Sequence, residues 1–188
     1  IVENYNKKLK KNIFFNKKIN DLNKIKKKYD YIIDCTNNTL VNRHYKEFNY
    51  LLTLSAVYKK RKNKLVFPIT IMDGELPSLY PHSDVKNQFT LTHSKYTHIK
   101  KFKNTQHLHK FKKKIHHKTV LNLIKKMEKS LIYFYPSFKK NFIFKKYFFS
   151  YKVLPEDSSD KRSIVIKKYQ NIISCTSPKI TNIFSFQE

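Results

Sequence analysis

The chain has 188 residues, of which 40 are Lys or Arg and 13 are Asp or Glu, so its formal charge is +27. This length fits one domain with extensions, and a hydrophobic content of 40% excludes a wholly disordered tail. Self-repulsion at this charge density favours a polyanionic partner, with nucleic acid as the first candidate and an acidic membrane surface as the second. The most apolar stretch is interrupted by Pro136 and by two Lys-Lys pairs, so we expect no membrane insertion.

The first half of the chain predicts a basic extension, a strand and a helix. Residues 1–28 are rich in lysine and lack a clear apolar face, which is typical of an extension. The segment YDYIIDC is short, apolar and β-branched, which predicts a buried strand. From about Leu40 to Lys59 apolar residues recur at steps of three and four, which predicts an amphipathic helix. The stripe comprises Val41, Tyr45, Phe48, Leu52 and Ser55/Ala56.

The middle of the chain predicts two further strands and a loop. The segment KLVFPITI is typical of a strand, and Pro68 within it indicates an edge position or a bulge. MDGELPSLYPHSD contains the only glycine and two prolines, which predicts a long loop. QFTLT predicts the next strand, and QHLHKFKKKI alternates as a strand that returns after an excursion.

The last part predicts a second helix, a final strand and a C-terminal extension over residues 150–188. The helix begins near Lys118, and NFIFKKYFF follows it as a strand. The order strand, helix, strand, strand, helix, strand over residues 29–149 predicts an α+β, ferredoxin-like βαββαβ fold. Its four-stranded antiparallel sheet would carry both helices on one face. The apolar face of the second helix comprises Val120, Leu123, Ile124, Met127 and Leu131.

Several segments follow one another in the order and spacing of a known family. They are the first strand with its Asn-rich turn and LVN, FPI at 67–69, QFTLTHS at 88–94, the stretch at Gln106, and KTVLNLIKKM at 118–127. In these segments residues 29–149 resemble the small-subunit ribosomal protein S-ten family. The resemblance implies that predicted strands two and three extend into a long arm, about residues 88–115. The arm of this family reaches into the head of the small ribosomal subunit, where it contacts rRNA and neighbouring proteins.

The arm region is strongly basic. From Val85 to Met127 there are 12 lysines, six histidines and no acid. Lysine supplies point charges on long stems for phosphate contacts, and the release of counterions drives association. The alternative is a solvated basic face enriched by AT-rich codon usage. Tyr96 and Phe102 would stack on unpaired bases or pack against a neighbouring protein. The residues that we expect to contact RNA are Lys95, His98, Lys100, Lys101, Lys103, Lys110, Lys112, Lys113 and Lys114.

The sequence predicts no metal, cofactor or catalytic site. His107 and His109 would share one face of the predicted strand, but no cysteine pair or carboxylate lies nearby to complete a zinc site. The chain has no catalytic triad spacing, P-loop or paired-carboxylate motif, so we expect neither an enzyme nor a small-molecule substrate. Cys35 and Cys175 lie far apart in the sequence and suggest no disulfide framework.

Together with the resemblance, these features predict a structural constituent of the small subunit of an organellar ribosome, mitochondrial rather than plastid. Its partners would be small-subunit rRNA and neighbouring head proteins. The alternative is a free-standing organellar RNA-binding regulator with a ferredoxin-like domain, which would read single strands with exposed sheet aromatics such as Phe142 and Phe144. The two hypotheses differ at residues 94–105, which only the ribosomal protein needs as an arm tip.

Overall fold

The computed structural model describes residues 12–19, 21–36, 40, 48–61, 67–82, 85–155 and 164–176. Within these ranges the chain forms four helices and nine strands. The helices are α1 (Asn23–Lys26), α2 (Thr105–Lys114), α3 (His117–Phe134) and α4 (Phe138–Asn141). The strands are β1 (Ile32–Asp34), β2 (Phe48–Lys60), β3 (Ile69–Thr70), β4 (Pro77–Pro81), β5 (Gln88–His93), β6 (His98–Phe102), β7 (Phe142–Pro155), β8 (Val165–Tyr169) and β9 (Ile172–Thr176).

The main sheet is antiparallel and is organised around the 13-residue strand β2. On one edge, β2 pairs with β7 along its whole length, from Phe48 opposite Pro155 to Lys60 opposite Phe142. On its other edge, the C-terminal half of β2 pairs with β5 and the N-terminal half pairs with β6. Strand β4 lies beside β5, and β3 lies at the edge of the sheet, directly after Pro68. The edge position is one of the two that Pro68 predicted.

The prediction of a helix over residues 40–59 is wrong for the part that the structure describes, because residues 48–60 form β2. Alternate residues of β2, including Tyr50, Leu54 and Tyr58, face the helices, while Leu51 and Val57 on the opposite side are also buried. A strand that is buried on both faces has an almost continuous apolar run, in which a helical spacing is also present. The stripe residues Val41 and Tyr45 lie outside the described residues.

The ferredoxin-like fold is also wrong. The segment QHLHKFKKKI at 106–115, expected as a returning strand, lies in helix α2 up to Lys114, so the two longer helices follow each other in the chain. No arm projects between β5 and β6. After a turn at residues 94–97, β6 continues along the same edge of β2, and Thr97 accepts a backbone hydrogen bond from Leu54 (2.9 Å). The described residues form an α+β structure with a six-stranded antiparallel sheet and a separate three-stranded sheet that contains one parallel pair.

Helices α2 and α3 cover one face of the main sheet. Asn104 caps α2, because its side-chain oxygen accepts a hydrogen bond from the His107 backbone N–H (2.8 Å). Leu108 anchors α2 in the core with only 1% of its surface exposed. The prediction of a helix near Lys118 is confirmed, and the residues that α3 buries are Val120, Ile124, Met127 and Leu131.

The three-stranded sheet joins distant parts of the chain. Strand β1, expected as the first strand of the main sheet, pairs in parallel with β9, which forms an antiparallel hairpin with β8. Leu22 and Ile172 form the centre of its small core, while Ile33 on the other side is 66% exposed. The Asn171 amide donates hydrogen bonds to the carbonyl oxygens of Lys26 (3.0 Å) and Tyr29 (2.9 Å), which ties the hairpin turn to the segment that precedes β1.

Candidate nucleic-acid interface

The nine basic residues expected to contact RNA lie in three different settings. One is the turn between β5 and β6, the second is the sheet face turned away from α2 and α3, and the third is the helix layer. The structure therefore does not bring them together on one projecting arm.

In the turn, Lys95 is already paired. Its Nζ lies 2.6 Å from Glu75 Oε2, and both side chains are more than half exposed. The hydrogen bond to Glu75 and the charge of that carboxylate raise the pKa of Lys95. This lysine must exchange a carboxylate for a phosphate before it contributes to RNA binding.

His98 and Lys101 lie on the sheet face turned away from the helices, which we call the far face. Their register partners on β2 are Thr53 and Leu51, and Lys152 of β7 lies opposite Leu51 on the other edge. Desolvation lowers the pKa of His98, and the neighbouring cations Lys152 and Lys101 lower it further. At neutral pH His98 is therefore an uncharged hydrogen-bonding group rather than a phosphate-binding cation. The far face includes His98, Lys101, Lys146 and Lys152.

Two of the expected lysines lie over aromatic rings on the helix side of the sheet. The Lys100 Nζ is 5.8 Å from the ring centroid of Phe102 and 5.2 Å from that of Phe111. The Lys112 Nζ is 5.9 Å from the centroid of Phe149. Such cation–π contacts hold the side chains against the protein and leave their outer side open to solvent.

The remaining expected lysines lie on or next to α2. Lys103 is exposed just before the cap at Asn104, and Lys110, Lys113 and Lys114 are exposed on the helix. Lysines in the last turn also interact favourably with the negative end of the helix dipole. The exposed face continues along α3 without an acid, and we call it the helical face. Its lysines are Lys110, Lys113, Lys114, Lys118, Lys125, Lys126 and Lys129.

The positive charge of the helical face is not neutralised by the one acid in this region of the sequence. Between Val85 and Pro155 there are 18 lysines and one acid, Glu128. Glu128 is turned toward the sheet, where its Oε1 accepts a hydrogen bond from the Tyr58 hydroxyl (2.8 Å). Burial and the neighbouring Glu128 carboxylate raise the pKa of Tyr58, which therefore stays protonated as the donor. The single acid thus satisfies a buried phenol, and the helical face keeps its positive charge.

A groove of about 620 Å³ lies between α3 and the turn at residues 94–97. Tyr133 is 81% exposed at its rim, and its ring lies 5.0 Å from that of Phe134. The Lys126 Nζ lies 5.7 Å from the centroid of the Tyr96 ring on the other wall. We call this feature the aromatic groove. It is lined by Glu75, Leu76, His93, Tyr96, Lys126, Lys129, Ser130, Tyr133 and Phe134.

The back of the aromatic groove is formed by a buried histidine. The Nε2 atom of His93 lies 3.3 Å from Ser130 Oγ, and its Nδ1 accepts a hydrogen bond from the Lys95 backbone N–H (3.1 Å). Because Nδ1 accepts, Nε2 carries the proton and donates to the serine. Burial lowers the pKa of His93, which agrees with this neutral form. The groove therefore combines aromatic faces, two lysines, a neutral histidine and the Glu75 carboxylate, which is paired with Lys95. Aromatic faces beside lysines are suited to an unstacked base with its phosphates.

Sequence reasoning missed the aromatic groove, although signals for it were present. Tyr133 and Phe134 end the α3 pattern with two large apolar residues, of which neither belongs to the buried stripe.

The prediction that His107 and His109 share one face is wrong, since in a helix residues two positions apart point to different sides. Among the described residues no group of three or more His, Cys, Asp or Glu side chains is placed to hold a metal ion.

Phe142 and Phe144 do not form an exposed aromatic platform. Phe142 is buried in the main core, and Phe144 packs against Tyr58 at a centroid distance of 5.6 Å. Both face the helices, so the sheet aromatics of the regulator hypothesis are core residues.

No helix in the described ranges has the length and apolarity needed to cross a membrane. Comparisons with protein-family models, with curated proteins and with solved structures found no match.

Proposed function

We propose that the protein binds RNA through the helical face and the aromatic groove, as a structural component of an organellar ribonucleoprotein. One observation carries the proposal: the region from Val85 to Pro155 has 18 lysines, and its single acid, Glu128, is hydrogen-bonded to buried Tyr58. A folded surface with this imbalance binds a polyanion by releasing condensed counterions. Its helices hold the lysines on a rigid scaffold, which reduces the ordering cost of binding.

The aromatic groove favours single-stranded over duplex RNA. Exposed Tyr133 offers a ring face for an unpaired base, while Lys126 and Lys129 stand beside it for the flanking phosphates. Stacking of one base on an aromatic side chain contributes about 1–3 kcal/mol and tolerates any sequence. Glu75 at the same groove is held by Lys95, so its charge is partly neutralised.

The proposed setting is the small subunit of a mitochondrial ribosome, with rRNA and neighbouring head proteins as partners. The quoted segments that resemble the S-ten family and the charge of +27 support this setting, while the arm and the ferredoxin-like fold do not form part of it. The second candidate is a free-standing organellar regulator. The aromatic groove favours that candidate, because it is suited to reading single strands without a ribosome.

The fold changes how these two candidates are separated. Deletion of residues 95–104 would remove all of β6 and the Asn104 cap of α2. Such a variant would lose folding together with RNA contacts. Point substitutions of exposed lysines preserve the sheet and test the RNA contacts alone.

The direct test is fluorescence anisotropy of labelled RNA with the full chain over a salt series from about 50 to 300 mM. We expect the logarithm of the association constant to fall linearly with the logarithm of salt, with tighter binding to a single strand than to a duplex of equal length. Heparin serves as a polyanion without bases. Binding to heparin and RNA with equal affinity at equal charge, or no RNA binding at the lowest salt, would contradict the proposal.

A further inference from the structure

The two cysteines of the chain are 140 positions apart but meet in the three-stranded sheet. Strand β1 pairs with β9 in parallel, with Ile32 opposite Ile172, Ile33 opposite Ile173 and Asp34 opposite Ser174. Continued by one residue beyond the end of β1, this register sets Cys35 beside Cys175, and these two are the only cysteines in the sequence. Both are free thiols in the structure.

The strand spacing that this register implies is compatible with a disulfide. Neighbouring strands lie about 4.8 Å apart, and bridged cysteines have Cα atoms about 4.4–6.8 Å apart. Cys35 is close enough to Cys175 to be one of the groups that raise the pKa of the Cys175 thiol. No backbone movement larger than a local adjustment is therefore needed to join them.

Strand β9 is paired on both of its edges, with β1 over the three residues that precede the cysteine pair and with β8. The β8–β9 hairpin is paired over five residues, from Val165 opposite Thr176 to Tyr169 opposite Ile172. At the other end, Asn171 bonds the segment before β1, and Ile172 packs on Leu22. The approach of the thiols is thus a property of the folded sheet.

The two thiols differ in accessibility. Cys35 is exposed, whereas Cys175 is 5% exposed. Burial raises the pKa of Cys175, and contact with Cys35 and the charge of Asp34 raise it further. A reagent from solution therefore reaches Cys35 first, and Cys175 is the buried thiol beside the adduct that forms there.

We propose that Cys35 and Cys175 form a site of reversible disulfide formation, oxidised by a small-molecule disulfide of the glutathione type. The Cys35 thiolate attacks one sulfur of oxidised glutathione, forms a mixed disulfide and releases one glutathione thiolate. The Cys175 thiolate then attacks the Cys35 sulfur, and the second glutathione leaves as a thiolate. Two protein thiols lose two hydrogens in total, and one glutathione disulfide becomes two glutathione thiols. The bond joins β1 to β9 and does not depend on the RNA-binding proposal.

The test treats the reduced full chain with oxidised glutathione and blocks free thiols with iodoacetamide. We expect the intact product to be monomeric and lighter than the reduced chain by two hydrogen atoms. After digestion without reductant, mass spectrometry should find the Cys35 peptide linked to the Cys175 peptide. Dithiothreitol should restore the starting mass. A stable glutathione adduct on Cys35 without the cross-link, or covalent dimers, would overturn the proposal.

Two controls assign the steps. Cys175→Ser should stop at the Cys35 adduct, and Cys35→Ser should be modified much more slowly because its remaining thiol is buried. Repeating the wild-type reaction in unfolding urea should slow ring closure about tenfold or more, because the folded sheet no longer holds the thiols together. An unchanged closure rate in urea would show that the fold does not create the site.

Discussion

The substitution Lys113→Gln with Lys114→Gln tests whether the helical face holds RNA. Both lysines are exposed in the last turn of α2, a helix that contains no acid. For single-stranded nucleic acid the logarithm of the association constant changes with the logarithm of salt by about −0.7 per phosphate contact. If each lysine makes one contact, the slope becomes less steep by about 1.4, and affinity at about 0.1 M salt falls about 25-fold.

The assay is the anisotropy titration at four or more salt concentrations, with thermal unfolding to show that the fold is kept. Lys145→Gln with Lys146→Gln is the matched control, since it removes two exposed adjacent lysines and the same charge. Lys146 lies opposite Val57 on the far face, across the sheet from α2. We expect the control to keep most of the affinity and slope. Equal losses in the two variants would refute a localised helical face and leave only the net charge as the cause.

Three further predictions concern stability and the aromatic groove. Asn104→Ala removes the α2 cap and should lower the free energy of unfolding by about 1 kcal/mol in urea denaturation. Gln106→Ala, an exposed substitution in the same helix, should leave the free energy of unfolding nearly unchanged. Tyr133→Ala should weaken single-strand binding by about 1–3 kcal/mol without changing the melting temperature; an equal loss in Tyr29→Ala, which removes another exposed tyrosine, would exclude stacking in the groove. His98 has a lowered pKa in the folded protein. As the pH decreases through about 6.5, the imidazole of His98 is therefore protonated in the unfolded chain before it is protonated in the folded one, and the free energy of unfolding should fall. His98→Gln should make that decrease smaller in urea midpoints measured from pH 8 to 5, and an unchanged decrease would exclude His98 as a contributor.

Helix α3 was predictable because its pattern has a single interpretation. Its stripe spans three turns, and one face is apolar while the other is lysine-rich. Only a helix places such residues on one side, and the sheet provides a matching apolar surface at Leu79 and Leu91. Local sequence and tertiary packing agree here, so pattern and structure coincide.

The sequence pattern predicted a helix where β2 lies and a strand where α2 lies, for opposite reasons. In β2, burial on both faces removed the alternation that marks a strand, so spacings of three and four were accidental. In α2, His107 and His109 produced an apparent alternation, whereas the spacing of Leu108, Phe111 and Ile115 by three and four already indicated a helix. Asn104 in front of this run is the helix start signal that the strand interpretation overlooked.

The candidate site depends on tertiary structure that no local pattern encodes. The acid-free stretch shows a high local content of lysine. The pairing of Glu128 with Tyr58, in contrast, connects positions 70 residues apart. Likewise, the aromatic groove joins α3 to the β5–β6 turn through His93 and Ser130. The approach of Cys35 to Cys175 requires β1 to pair with a strand near the other end of the chain. The first two contacts follow from the packing of α3 on the sheet and the third from strand order, and the sequence pattern alone left both open.

The most direct test of the central claim is sedimentation of the tagged full chain from organellar lysate at moderate salt, before and after nuclease, with sequencing of the RNA that copurifies. The account predicts a heavy particle that contains small-subunit rRNA and releases the protein after nuclease treatment. A light fraction with assorted RNAs would favour the regulator over the ribosomal component. A light fraction without RNA, unchanged by nuclease, would contradict RNA binding as the function of the protein.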